Sequence, residues 1–200
     1  MIMKKILVLT ISAFLVMSMN AQKITLKSGS VNALKGEKTM LAEYDYSNLK
    51  VGKFDKEEDY IEKKVADYEK SEAGKGEKWK ESWTADRKNR FEPKFELLFN
   101  ENSNGVKVDQ NASDAKYKIL VHTTFIEPGF NVGVTRKPAF INSEVRISEV
   151  ASGKEIAVIT VQNCPGRDVM GFDYDTGYRI EEAYAKLGKS IAAFINKQTR

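Results

Sequence analysis

The stretch that decides the fold runs Tyr117-Lys-Ile-Leu-Val121-His-Thr-Thr-Phe-Ile126, stops at Pro128-Gly129, and resumes as Phe140-Ile-Asn-Ser-Glu-Val-Arg-Ile-Ser-Glu-Val150, Ala151-Ser-Gly-Lys154 and Glu155-Ile-Ala-Val-Ile-Thr-Val-Gln162. In the first run Tyr117, Ile119, Val121 and Phe125 fall on one alternating set, and Leu120, His122 and Ile126 fall on the other. Apolar residues on both sets predict a strand covered on both faces. The two later runs, separated by four turn-forming residues, predict a β-hairpin. Beyond a glycine-rich loop from Pro165 to Gly177, Ile180, Tyr184, Leu187, Ile191, Phe194 and Ile195 recur at steps of three and four, the stripe of an amphipathic closing helix.

Toward the amino terminus the period changes. Val106-Lys107-Val108 reads as a short, exposed strand, and Trp79, Trp83, Phe91, Phe95 and Leu98 sit near one face of a helical stretch that Pro93 kinks or restarts. An earlier helix is predicted over 56–72, from the capping-box spacing of Asp55 and Glu58 and the stripe Ile61, Val65 and Tyr68, with Gly74 and Gly76 ending it. Met40, Ala42, Tyr44 and Tyr46 alternate as a strand, and Ile24, Leu26 and Val31 suggest a shorter one before it. The order is strand, two helices, three or four strands, helix. It predicts an α+β (mixed α/β) class: a single mixed, largely antiparallel sheet of about four to five strands packed with three helices. The expected division is a signal peptide over 1–22, an amino-terminal segment over 23–37 and one α/β domain over 38–200.

Composition narrows the chemistry. The 200 residues are 42% hydrophobic, enough for a core, and 32 Lys and Arg against 28 Asp and Glu leave only +4. That small residue of two well-mixed numbers is not the field of a nucleic-acid binder. From Lys53 to Glu96 the charges interleave, with Asp59/Lys63 and Asp86/Arg90 spaced for i,i+4 pairing, which reads as the solvated face of two helices. One His and one Cys exclude a His or Cys metal cluster, an intrachain disulfide and an iron–sulfur site within one chain. No cofactor or metal set is expected, and no pattern sets an oligomeric state.

Lys4 and Lys5 precede the apolar run Ile6 to Met17, and Ser18-Met-Asn-Ala-Gln22 then turns small and polar, the three regions of a secretory signal. As a helix the run spans about 18 Å, short of the roughly 30 Å hydrocarbon core. Export to the periplasm or beyond, with cleavage between residues 20 and 23, is therefore expected. With no Cys directly after the run and no second apolar span, neither a lipid anchor nor a transmembrane segment is expected in the mature chain.

Several residues invite a functional reading beside a structural one. Cys164 and His122 suggest a nucleophile pair, against a buried thiol and a hydrogen-bonded sheet histidine. Asp168, Asp173 and Asp175 offer oxygen ligands for calcium, against Asp175 or Thr176 as the cap of the last helix. Gly129-Phe-Asn-Val-Gly133 with Arg136 and Lys137 offers an anion nest, against an ordinary hairpin connection. Tyr44, Tyr46, Trp79, Trp83, Phe91 and Phe95 offer an aromatic ligand surface, against a core. The structural reading takes precedence for each, and no catalytic, cofactor or metal residue is assigned.

The carboxy-terminal half also carries a resemblance. Asp114-Ala-Lys-Tyr117, Glu127-Pro-Gly-Phe130, Ala139-Phe-Ile-Asn-Ser-Glu-Val-Arg-Ile147, Ser152-Gly-Lys154 and Ala183-Tyr-Ala-Lys-Leu-Gly-Lys-Ser-Ile-Ala-Ala-Phe194 resemble small exported proteins of unknown function of Bacteroidetes-type bacteria. The layout is similar to the mixed α/β domain shared by the amino-terminal domain of the Tol-system propeller protein and the curli-secretion lipoprotein. The resemblance implies an envelope role with an envelope protein partner, and it brings no catalytic residues. Two functions follow as expectations: a non-enzymatic exported binding or assembly protein, or a periplasmic hydrolase or small-ligand enzyme using carboxylates such as Glu127, Asp168 or Asp173.

Overall fold

The computed structural model describes residues 21–132, 135–166, 172–173 and 175–200. Strand β1 (Lys23–Gly29) passes through a 3-10 turn, Val31–Leu34, into β2 (Thr39–Asp45) and β3 (Lys50–Val51). Helices α1 (Glu57–Glu69), α2 (Lys75–Asp86) and α3 (Glu92–Asn102) follow, the last two joined by a π-helical turn, Arg87–Phe91. Next come β4 (Lys107–Asp109), β5 (Tyr117–Glu127), β6 (Phe130–Val132), β7 (Thr135–Lys137), β8 (Phe140–Glu149), β9 (Glu155–Pro165), β10 (Phe172–Asp173) and α4 (Thr176–Gln198).

Seven strands make one mixed sheet, ordered β1-β9-β8-β5-β2-β4 with β3 beside β5, and β10-β6-β7 make a second, small one. β1, β9, β8 and β5 are antiparallel neighbours, as the hairpin predicts. β2 runs parallel to β5, because the three helices between them form the crossover a parallel pair requires. The class is mixed α/β with three helical stretches, as expected, but the sheet is larger than four or five strands. The two-residue β3 is too short to show alternation, whereas β4 falls where Val106-Lys107-Val108 reads as a strand.

β5 corrects a further expectation. Tyr117, Ile119, Val121 and Thr123 are buried, while Lys118, Leu120 and His122 are only half-buried, so helices cover one face of the strand. Register explains it: Leu120 lies between Glu43 of β2 and Arg146 of β8, and His122 lies between Asp45 and Glu144. The outer face is a polar surface laced by Lys118–Glu43 (2.8 Å), Lys27–Glu144 (3.1 Å), Arg146–Glu155 (2.9 Å) and Arg146–Glu144.

The covered face meets α3 and α4. Phe91, Phe95 and Phe99 pack with Tyr184, Leu187, Ile191 and Ile195, and the Phe91 and Tyr184 rings stack 5.0 Å apart. Five of the six stripe residues of α4 are fully buried and Phe194 is half-buried. Val106 and Val108 are buried beside this layer, correcting their exposed reading; β4 is an edge strand along β2, with α3 against it. The first helix starts at Glu57 without a side-chain cap, because the Asp55 carboxylate instead takes Lys50 at 2.8 Å. Tyr60, and not Ile61, Val65 or Tyr68, is its buried residue, and Lys63 pairs with Asp67 in place of Asp59. No described helix is long and apolar enough to cross a membrane.

Candidate functional site

Two glycines set the aromatic wall. Gly74 turns the chain at a φ of +77° between α1 and α2, and Gly76 lets the helices touch: a Cβ there would lie 2.6 Å from the Val65 carbonyl oxygen. Tyr60 and Tyr68 of α1 thereby meet Trp79 and Trp83 of α2. Ring centroids are 5.2 Å apart for Tyr60 and Trp83, 5.6 Å for the stacked tryptophans and 5.9 Å for Tyr68 and Trp79. Trp83 is buried and its Nε1 donates to Glu57 Oε1 at 2.6 Å, whereas Trp79 and Tyr68 are half-buried.

The same helix then widens into the π turn. Pro93 contributes to this, since it has no N–H to offer the carbonyl four residues back. Asp86, just before that turn, and Arg90, within it, pair at 3.1 Å, as their i,i+4 spacing predicts. Arg90 also donates to both carboxylate oxygens of Asp175 at 3.0 Å. Asp175 caps α4, accepting the Tyr178 amide at 2.9 Å, which bears out the capping reading. Gly177, in the first turn of α4, lies so near the cluster that a Cβ would be 2.0 Å from Asp86 Oδ2.

These elements enclose a cleft of about 470 Å³, with Trp79 and Tyr68 on one wall, Asp86, Arg90 and Asp175 on another, and Ser82 and Asn89 at its side. Its two carboxylates are driven apart. Burial, with help from Asp175 and Glu181, raises Asp86 above the ordinary carboxylate range despite Arg90. Asp175 is also pushed up by burial, but the Tyr178 amide and Arg90 outweigh that and hold it below.

The other candidate residues go elsewhere. His122 accompanies Lys118 and Leu120 on the outer face, its Nε2 3.0 Å from the Ser47 carbonyl oxygen. Cys164 is fully buried on the helix side, its Sγ–H donating to the Ala183 carbonyl at 3.3 Å. The sheet separates the two, so they form no nucleophile pair. Burial pushes the Cys164 thiol up to about 12, with Lys186 opposing weakly. Iodoacetamide at pH 8 is therefore expected to modify Cys164 only in the denatured chain. Rapid stoichiometric labelling of the native protein would contradict that.

Glu127 is buried and bound by Lys137 (2.5 Å) and the Gly129 amide (3.2 Å), so it supports a turn. Gly129 adopts φ +63° there, and Arg136 and Lys137 lie exposed on β7; Gly133 and Asp168 lie outside the described residues, as does the side chain of Asp173. Phe91 and Phe95 belong to the core, and Tyr44 bonds the Glu92 carbonyl at 3.1 Å. Among the described residues no group of three or more His, Cys, Asp or Glu is placed to hold a metal ion. Sequence reasoning named the parts of the cleft separately and did not join them. Asp175 and Arg90 are 85 residues apart, and only space brings them together.

No family model and no curated protein matches the chain. Among solved structures, a PelC dodecamer from Paraburkholderia phytofirmans is 10% identical, with 84% of this chain and 96% of that one covered at a TM-score of 0.41. A PelC variant dodecamer from the same organism is 12% identical, covering 84% and 98% at 0.38. A Xanthomonas campestris protein of DUF330 is 10% identical, covering 80% and 84% at 0.36. Likenesses of this size carry no argument about activity or assembly.

Proposed function

We propose that the chain is an exported cell-envelope protein with a non-enzymatic binding or accessory role, and that it works through the cleft between α2, the π turn and the first turn of α4. The cleft is the observation that carries this reading. It is concave, walled by half-buried aromatic rings and lined by a few fixed polar groups, the usual make-up of a ligand site. Its polar groups sit on α2, the π turn and the N-cap of α4, and π turns recur at functional positions. Export rests on Lys4, Lys5 and the apolar run to Met17. The resemblance of the carboxy-terminal half to small exported Bacteroidetes-type proteins, and more distantly to the Tol-propeller and curli-lipoprotein domain, belongs to the same proposal.

One observation favours an enzyme as the second reading: Asp86 and Asp175 share a cleft with their acidities shifted in opposite directions, as an acid–base pair requires. In this reading they replace Glu127, Asp168 and Asp173. Against it, Arg90 binds both oxygens of Asp175 and Oδ1 of Asp86, so a reaction would have to break that cluster.

Mass spectrometry of the protein from envelope and cytoplasmic fractions of its native cells tests the export half. The expected product is an envelope chain beginning at residue 21, 22 or 23. A chain retaining Met1 in the cytoplasm would refute it.

A further inference from the structure

We infer that the cleft takes a neutral pyranose oligosaccharide, a ligand class that rests on the cleft being the binding site proposed above. The wall supplies the first reason. Trp79 stacks on Trp83 with ring centroids 5.6 Å apart, and both line the cleft together with Tyr68. A broad, rigid aromatic wall matches the flat C–H face of a pyranose ring, which is apolar although its rim is hydroxylated.

The rim supplies the second. Asp86 and Asp175 only accept hydrogen bonds, Arg90 only donates, and Ser82 and Asn89 do both. Adjacent sugar hydroxyls donate and accept in alternation, so a mixed rim suits them. A quaternary cation would find both carboxylates already held by Arg90, and an anion would meet two carboxylates around one guanidinium. A ligand with hydroxyls and no net charge can use the remaining lone pairs of the exposed Asp175 carboxylate, together with Ser82 and Asn89, without breaking that cluster.

Construction supplies the third. Gly177 admits Asp86 against the first turn of α4, and the Asp175 cap fixes Arg90 from the other side, so the polar groups are held before any ligand arrives. The volume of about 470 Å³ falls within the range of small-ligand sites.

Both tryptophans of the chain are on this wall, so its intrinsic emission reports on the cleft. The mature chain is titrated with cellotetraose, maltotetraose, tetragalacturonate and tetramethylammonium, following tryptophan emission and heat, with reducing ends assayed in parallel. Expected is a saturable response to at least one neutral tetrasaccharide, weakened about tenfold or more by Trp79→Ala and by Asn89→Ala. Arg146→Ala, on the outer sheet face, should leave it unchanged. Asn89 is exposed, so its variant keeps the test valid if Trp79→Ala fails to fold.

No response to either neutral sugar, or a response only to tetragalacturonate or tetramethylammonium, overturns the sugar. If such a response is still lost in Trp79→Ala, the cleft survives as a site. A sugar response indifferent to Trp79 and Asn89 overturns both the sugar in this cleft and the cleft as the site. Release of new reducing ends supports the sugar and overturns the non-enzymatic reading.

Discussion

Removing residues 187–200 is expected to leave a chain that does not fold. The deleted segment carries Leu187, Ile191 and Ile195, all fully buried, and each such side chain contributes roughly 1.5–3 kcal/mol. Three of them total on the order of 5–9 kcal/mol, against about 5–15 kcal/mol for a whole domain. The loss is not confined to α4, since the same residues roof Phe95 and Phe99 of α3. Near-ultraviolet circular dichroism on heating checks it. A cooperative melt close to that of the full mature chain would mean that the stripe faces a partner and not the core.

Gly188→Ala should reverse the usual sign of a glycine replacement in a helix. At an exposed helical position alanine gains about 1 kcal/mol over glycine. Here a Cβ would lie 2.3 Å from the Phe95 carbonyl oxygen and 3.0 Å from the Phe99 nitrogen, both backbone atoms of α3 that no rotamer change can remove. The helices must separate and loosen the stacked Phe91–Tyr184 pair. A cost of about 3 kcal/mol, the upper end of overpacking, is expected in urea unfolding. Stability equal to or above the parent would show that α3 and α4 do not approach so closely.

The elements that sequence made legible are those whose pattern is long and locally determined. α4 repeats its stripe over more than four turns, and β8 and β9 are joined by a short turn with Gly153 at φ +69°. The misreadings share a tertiary cause. Asp55 looks like a helix cap but is drawn off by Lys50, and Leu120 looks like core but faces Glu43 and Arg146 across the ladder. Alternation shows which residues share a face and not what covers that face. Val108 shows the converse, a buried residue in a short strand that reads as exposed.

The cleft was legible in pieces. Asp86/Arg90 was visible as an i,i+4 pair and Asp175 as a cap, and both readings hold. Their union through Arg90 has no local signature, because it depends on α4 returning beside α2. Gly177 reads as one more glycine of a flexible loop until its distance from Asp86 is known. The π turn is hinted at by Pro93 alone.

The most direct measurement of the central claim, that this protein acts by binding at the cleft, is an amide chemical-shift map of the mature chain. The ligand added is the neutral tetrasaccharide that gives the strongest tryptophan response. Shifts confined to the surroundings of Tyr68 and to residues 79–90 and 175–178, with the outer-face strands around Lys118, Glu144 and Arg146 undisturbed, are the predicted result. Shifts clustered on that outer face, with the cleft silent, would contradict the account.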